Sequence, residues 1–285
     1  MILSLIQKYS PKNTQDYENA LKEVIQEITL AALSRAKFFD KAAFYGGTAL
    51  RIFYGLTRFS EDLDFTLLKP DPAFKLKPYF SAIQQTLESF GLEVTLEEVQ
   101  KSQNRNTESA FLKANTQMHL IKVQAAHLAR QLPSNKLMHV KFEVDVQAPS
   151  GFETEIKPLL PPITASVNVL KPSSLFAGKM HAVLFRNWKG RIKGRDYYDL
   201  LWYLGQGIPV NLLYLEQKMN DSHPLERSGP LTRAQLLQLL AKKIDQVDWE
   251  KAKLDIVSFI PDREEVSQWS REFFLAALSE LQCLP

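Results

Sequence analysis

The sequence predicts an α+β protein: a mixed sheet with flanking helices in the N-terminal part, followed by an α-helical C-terminal domain. Three observations carry that expectation. The run His139-Val140-Lys141-Phe142-Glu143-Val144-Asp145-Val146-Gln147 alternates strictly between apolar and polar residues, and Asp62-Leu63-Asp64-Phe65 does the same; a period of two puts one side of a strand into a core. Between Asp16 and Phe39, the apolar residues Tyr17, Leu21, Val24, Ile25, Ile28 and Ala32 recur at helical spacing, the pattern of a long amphipathic helix laid on a sheet. Residues 149 to 172 hold five prolines and little periodicity, and the strong patterns beyond them are helical. This stretch reads as an inter-domain connection, with domains at 1–165 and 166–285.

The elements follow in order. After the long helix, Ala42-Ala43-Phe44-Tyr45 is a short apolar strand broken by Gly46-Gly47, and the residues after it have helical spacing. A strand, a tight turn and a helix start are therefore expected in succession. Asp62 to Phe65 form a second strand, and Lys69-Pro70-Asp71-Pro72 marks a loop. Residues 77 to 90 read as a helix stopped by Gly91, Leu92 to Leu96 as a strand, and the polar stretch Glu97 to Thr107 as a loop or hairpin tip. Beyond the prolines, helices are expected at Ser174 to Asn187, Asp196 to Leu204, Asn211 to Met219, Thr232 to Lys243 and Glu264 to Leu281, with Thr232-x-x-Gln235 as a capping box.

Composition narrows the function. With 285 residues and 45% hydrophobic content, the chain can bury a sizeable core. A single cysteine, Cys283, allows no internal disulfide and suits a reducing cytoplasm. The apolar opening Met1 to Ile6 is short and lacks a basic leader, so it fails as a signal peptide, and no apolar run approaches the roughly 20 residues of a membrane span. The five histidines, at 119, 127, 139, 181 and 223, lack zinc-ligand spacing, and of the four tryptophans only Trp188 sits among cations. Net charge is +3, too little by itself to announce a nucleic-acid binder.

The chemistry concentrates in two places. In the first, Gly46-Gly47-Thr48 precedes Asp62-Leu63-Asp64 by thirteen residues. The glycines let main chain approach a ligand closely, the helix start favours phosphate, and Thr48 adds a hydroxyl donor. Asp62 and Asp64 share one strand face and can chelate Mg²⁺ together with a nucleotide's own phosphates. In the second, Lys179 and Arg186 share one helix face, and residues 186 to 195 carry five cations and no acid, a density suited to triphosphate or RNA backbone. Asp196 has a structural account as the N-cap of the helix from Tyr197 to Leu204, one that leaves room for a further role, and Arg195 either pairs with Asp196 or Asp199 or reaches phosphate.

In this order and spacing the residues resemble the polymerase-beta-like nucleotidyltransferase superfamily. Tyr45-Gly46-Gly47-Thr48-Ala49-Leu50-Arg51, Arg58-Phe59-Ser60-Glu61-Asp62-Leu63-Asp64-Phe65, Leu175-Phe176-Ala177-Gly178-Lys179 and Lys193-Gly194-Arg195-Asp196-Tyr197-Tyr198-Asp199-Leu200 are together similar to the AbiEii/AbiGii toxin family of type IV toxin-antitoxin systems. The similarity covers about residues 40 to 205. It implies transfer of NMP from an NTP to an acceptor hydroxyl with release of pyrophosphate, two Mg²⁺ ions bridged by Asp62 and Asp64, and a third carboxylate from a neighbouring strand. Asp145 is the first choice for that third ligand, with Glu143 in reserve. The resemblance further implies a nucleotide site comprising Gly46, Gly47, Thr48, Ser60, Lys179, Arg186 and Arg195, with Lys179 on the phosphates and Asp196 closing the cleft from the helical domain. Its implied partners are a tRNA 3′ end as acceptor and an antitoxin encoded nearby. A small-molecule acceptor, a protein acceptor and a non-catalytic nucleotide-binding regulator stay open at this level.

Overall fold

The structure, a computed structural model, describes residues 2–98, 107–115, 137–147, 150–161, 163–186, 192–222 and 229–284. The chain forms two compact units. One comprises residues 1–48, 61–148 and 156–169, the other residues 49–60, 149–155 and 170–285. The division is not one cut near residue 165: residues 49–60, between the glycine motif and the paired aspartates, belong with the C-terminal unit.

The first unit is built on a seven-stranded mixed sheet. Its strands are β1 (Ala42–Tyr45), β2 (Leu63–Leu67), β3 (Val94–Glu98), β4 (Thr107–Asn115), β5 (Leu137–Asp145), β6 (Thr154–Leu159) and β7 (Ala165–Leu170), in the spatial order β3-β4-β5-β2-β1-β7-β6. β1 and β2 are antiparallel, whereas β2 runs parallel to β5 and β1 parallel to β7. The alternating strand at 139–147 is thus central, with Met138, Val140, Phe142 and Val144 all buried. Polar residues 99–106, read as a hairpin tip, lie outside the described residues.

Helices α1 (Ile2–Gln7), α2 (Thr14–Arg35) and α4 (Phe80–Ser89) accompany the sheet, with α3 (Gly46–Tyr54) following β1. Asn13 caps α2 by accepting from the Asp16 N–H at 3.0 Å. The helix stops at Arg35, short of the expected Phe39, because Lys37 turns left-handed at φ 57°. That turn drops Phe38 into the core. There its ring meets Phe65, Phe74, Tyr79 and Phe142 edge-on, while Phe65 stacks on Phe142 at 4.8 Å. Gly91, with φ 79°, ends α4 as the sequence suggests.

The proline-rich stretch 149–172 is corrected by the structure: rather than a plain connection, it holds β6 and β7. Pro158 is compatible with a strand here because β6 is at the edge of the sheet, where a missing N–H breaks no ladder.

The second unit is helical, with α5 (Pro172–Phe185), α6 (Gly194–Gly205), α7 (Leu212–Ser222), α8 (Arg233–Ile244), α9 (Trp249–Ile256) and α10 (Arg271–Ala277). The capping box at Thr232 and Gln235 is present, both reciprocal bonds being made. Two expectations fail. The single helix over 264–281 is broken into a 3₁₀ turn at Arg263–Val266, α10 and a second turn at Leu278–Glu280, because Ser270 starts a new helix by accepting from the Phe273 N–H. Helix α9, which the sequence reading passed over, begins at Asp248, whose carboxylate accepts from the Lys251 N–H. The core of this unit is aromatic: Trp249 stacks on Phe274 at 4.2 Å and Phe176 on Tyr203 at the same distance, with Trp269 and Tyr197 edge-on to Phe274. Trp202, Trp249 and Trp269 are packing residues, as expected; Trp188 lies outside the described residues.

Phe38→Ala is expected to destabilise the N-terminal unit by about 3–5 kcal/mol, since a fully buried ring touching five other aromatics leaves a cavity its neighbours cannot fill. Urea unfolding followed by circular dichroism reads the loss.

Candidate active site

In the N-terminal unit, the antiparallel register of β1 and β2 sets Tyr45 opposite Asp64, so that this carboxylate stands where β1 runs into α3. Gly46 is required there twice over. Its φ is 85°, and a Cβ on it would lie 2.5 Å from Asp64 Oδ2. The first main-chain N–H groups of α3, from Gly46, Gly47 and Thr48, have no partner within the helix, and with its positive dipole end they suit an anion. Thr48 departs from the sequence expectation. Its side chain is buried and its hydroxyl donates to the Asp62 carbonyl at 2.5 Å. The hydroxyl thus ties the start of α3 to the entry of β2, and toward a phosphate Thr48 would act through its main-chain N–H.

The parallel register of β2 and β5 decides which acid of β5 is adjacent to the motif. Glu143 is beside Asp64, and Asp145 is beside Thr66. Glu143 also receives Lys141 Nζ at 2.7 Å and the buried Ser109 hydroxyl at 3.2 Å. Asp145, by contrast, accepts from the Gln147 N–H and shapes the exit of the strand. Asp62 lines a cavity of about 320 Å³ with Glu18, Lys22, Glu61, His139 and Lys141. Among the described residues, no three His, Cys, Asp or Glu side chains stand close enough together to hold a metal. Asp62, Asp64 and Asp145 are therefore not a preassembled cage. Two carboxylates near a helix start still fit a hard divalent ion of the Mg²⁺ kind, which takes most of its ligands from phosphates and water.

The helical unit brings the other predicted residues together. Lys179 Nζ lies between Asp196 Oδ1 at 2.7 Å and Asp199 Oδ2 at 2.8 Å, and Arg186 Nη1 approaches both Asp196 oxygens at 3.4 Å. Asp199 is fully buried and is gripped by Arg58, whose Nε and Nη2 donate to its two oxygens at 2.5 and 2.6 Å. Sequence reasoning did not select Arg58 as a site residue. Its partner is 141 residues away, and the one signal was its place just ahead of Asp62 in the family-like string.

Burial alone would raise the Asp196 carboxyl, but the charges of Lys179 and Arg186 outweigh it and hold it at about 2. Burial would likewise raise Asp199, and Arg58 and Lys179 keep it below the usual carboxylate range.

Asp196 is not an N-cap. Helix α6 begins two residues earlier at Gly194, whose N–H donates to Asp255 of α9 at 3.0 Å, so the cap comes from another helix. Gly194 also packs so closely on α9 that a Cβ would fall 2.0 Å from the Ala252 carbonyl oxygen. The Arg195 guanidinium stacks on Phe259, 4.1 Å from the ring centroid. Ser60 is buried and belongs with this unit. His181 contacts the Ser222 hydroxyl at 2.6 Å. Of the cationic stretch after Arg186, residues 187–191 lie outside the described residues.

The sequence matches the family described as "Nucleotidyl transferase AbiEii toxin, Type IV TA system" over residues 28–277. The chain belongs to the AbiEii family. The family is one of nucleotidyltransferase toxins in type IV toxin-antitoxin systems, which implies an antitoxin as partner. A crystal structure of a candidate nucleotidyltransferase from H. pylori shares the fold, with a TM-score of 0.53 and 16% identity over 90% of this chain and 92% of that one. JHP933 from Helicobacter pylori is also similar, at a TM-score of 0.49 and 16% identity over 92% of this chain and 90% of that one. Among curated proteins none matches. Among the described residues of this AbiEii-family chain, no helix is long and apolar enough to cross a membrane.

Two outcomes are expected. Gly46→Ala forces a left-handed alanine against Asp64 and costs about 1–3 kcal/mol, read by thermal unfolding. Asp196 is depressed in the folded state, so its stabilising contribution is complete above its ordinary value of 3.8 and is lost as pH falls to about 2. The stability difference between wild type and Asp196→Asn, followed by tryptophan fluorescence, should be constant above that window and shrink within it.

Proposed function

We propose that this chain transfers NMP from an NTP to an acceptor hydroxyl at a tRNA 3′ end. The observation that carries the reading is the close seating of Asp64 against Gly46 at the start of α3, which puts a carboxylate beside a ready-made phosphate turn. The main-chain N–H groups of Gly46, Gly47 and Thr48 hold phosphate oxygens there. Asp62 and Asp64 are the ligands for Mg²⁺, which supplies charge neutralisation on the triphosphate and its leaving pyrophosphate. The acceptor oxygen bonds to the α-phosphorus as the bond to the bridging oxygen of pyrophosphate breaks, and the acceptor proton passes to a carboxylate. The register favours Glu143 over Asp145 for orienting and deprotonating that hydroxyl, since Glu143 is beside Asp64. Lys179, with one N–H beyond the two used on Asp196 and Asp199, and Arg186 offset phosphate charge. Asp196 directs the Lys179 ammonium through their contact at 2.7 Å. Ser60 and Arg195 stay with the nucleotide site in this reading, Arg195 with its guanidinium held on the Phe259 ring.

The test is incubation of purified protein and Mg²⁺ with each α-labelled NTP, with and without total tRNA. Label should appear on tRNA and fall by about 10³-fold or more in the Asp62→Ala/Asp64→Ala variant. Label on no RNA, with NTP binding intact, would overturn the acceptor assignment. In the same assay, Glu143→Gln should lower kcat by about 10²-fold and Asp145→Asn by much less; the reverse ranking would restore Asp145 as the third carboxylate.

A further inference from the structure

We infer that Arg58 is a positioning residue for Lys179, acting through Asp199. The phosphate-binding role of Lys179 rests on the reading above; its seating is a property of the helical unit alone.

The geometry divides the two oxygens of Asp199 between its partners. Oδ1 takes Arg58 Nε, while Oδ2 takes both Arg58 Nη2 and, at 2.8 Å, Lys179 Nζ. A planar guanidinium binding both oxygens fixes the rotation of the carboxylate, and with it the direction in which Oδ2 meets the ammonium. Arg58 is itself immobilised. It is 3% exposed, its Nη1 donates to the Phe59 carbonyl at 2.9 Å, and the Phe59 N–H donates to the Phe259 carbonyl at 2.7 Å. The preceding residue is held too, as the Thr57 hydroxyl meets the Tyr198 hydroxyl, which donates to Glu265.

Charge gives a second reason for Arg58. The connected groups are Arg58, Lys179 and Arg186 against Asp196 and Asp199, one positive charge in excess. Without Arg58 the cluster would be neutral. Both carboxylates would then be left to Lys179 and Arg186, and the attraction for an anion at Lys179 would fall. Arg58 therefore supplies both the orientation and the net charge that let a lysine already engaged by two acids accept a phosphate oxygen. A lysine at position 58 would keep the charge but not the two-point grip.

The experiment reads the Lys179 amine directly. Limited acylation followed by peptide mass spectrometry compares Lys179 with Lys75, whose side chain is 60% exposed, in the wild type, Arg58→Lys and Arg58→Gln/Asp199→Asn. In the wild type, Lys179 should react about tenfold more slowly than Lys75, and in both variants its rate should rise about fivefold or more, while Lys22, paired with Glu61, is unchanged. The KM for NTP should rise about tenfold in Arg58→Lys, with a smaller change in kcat. Lys179 rates within twofold of wild type in a folded variant would overturn the assignment. So would wild-type Lys179 reacting as fast as Lys75, a comparison that needs no variant to fold. The double variant strands no charge from the Arg58–Asp199 pair but also removes a direct partner of Lys179, so it reports loss of the whole link; if Arg58→Lys is unfolded, Arg58→Gln with Asp199 kept decides the matter. If the wild type labels no acceptor, the transferase reading fails, yet the acylation comparison still decides the role of Arg58.

Discussion

The close approach of Gly46 to Asp64 is the constraint on which the N-terminal site depends. Antiparallel pairing of β1 with β2 brings strand exit and strand face together, and there is no room for a side chain between them. The left-handed turn at Gly46 then sends the chain straight into α3, so the first N–H groups of the helix emerge beside the carboxylate. Thr48 fixes this arrangement by donating to the carbonyl of Asp62. The start of α3 and the Asp64 carboxylate are thus held together by sheet register and one hydroxyl.

The helical unit solves a different problem, which is to keep two acids ionised while burying them. Desolvation opposes every one of those charges, and it is outweighed only because each carboxylate faces two cations. Asp199 lies between Arg58 and Lys179, and Asp196 between Lys179 and Arg186. Such a network is poor value as a source of stability, because a hydrophobic replacement of equal volume would serve as well. Gly194 supports the network from the backbone side, allowing α6 and α9 to pack closely enough for Asp255 to cap the helix that carries both acids.

Membership of the AbiEii family and the shared fold of the H. pylori protein agree with the mixed sheet, but fold alone does not select a substrate.

Much of this was legible in the sequence. Short-range patterns determined the strand-turn-helix at 42–54, the alternation of β5, the capping box at Thr232 and the run of C-terminal helices, because each follows from steric and hydrogen-bonding preferences within a few residues. The paired aspartates and the glycine turn were visible for the same reason. What only the tertiary structure decided depends on register and on partners far apart in the chain. Glu143 rather than Asp145 is beside Asp64 because β5 pairs in parallel with β2, and no local pattern sets that offset. Thr48 turns inward because the Asp62 carbonyl needs a donor. The prolines of 149–172 look like a linker in sequence, yet β6 can carry Pro158 because it is an edge strand. Arg58 finds Asp199 across 141 residues, and the energy of that pair exists only once folding has removed both from water.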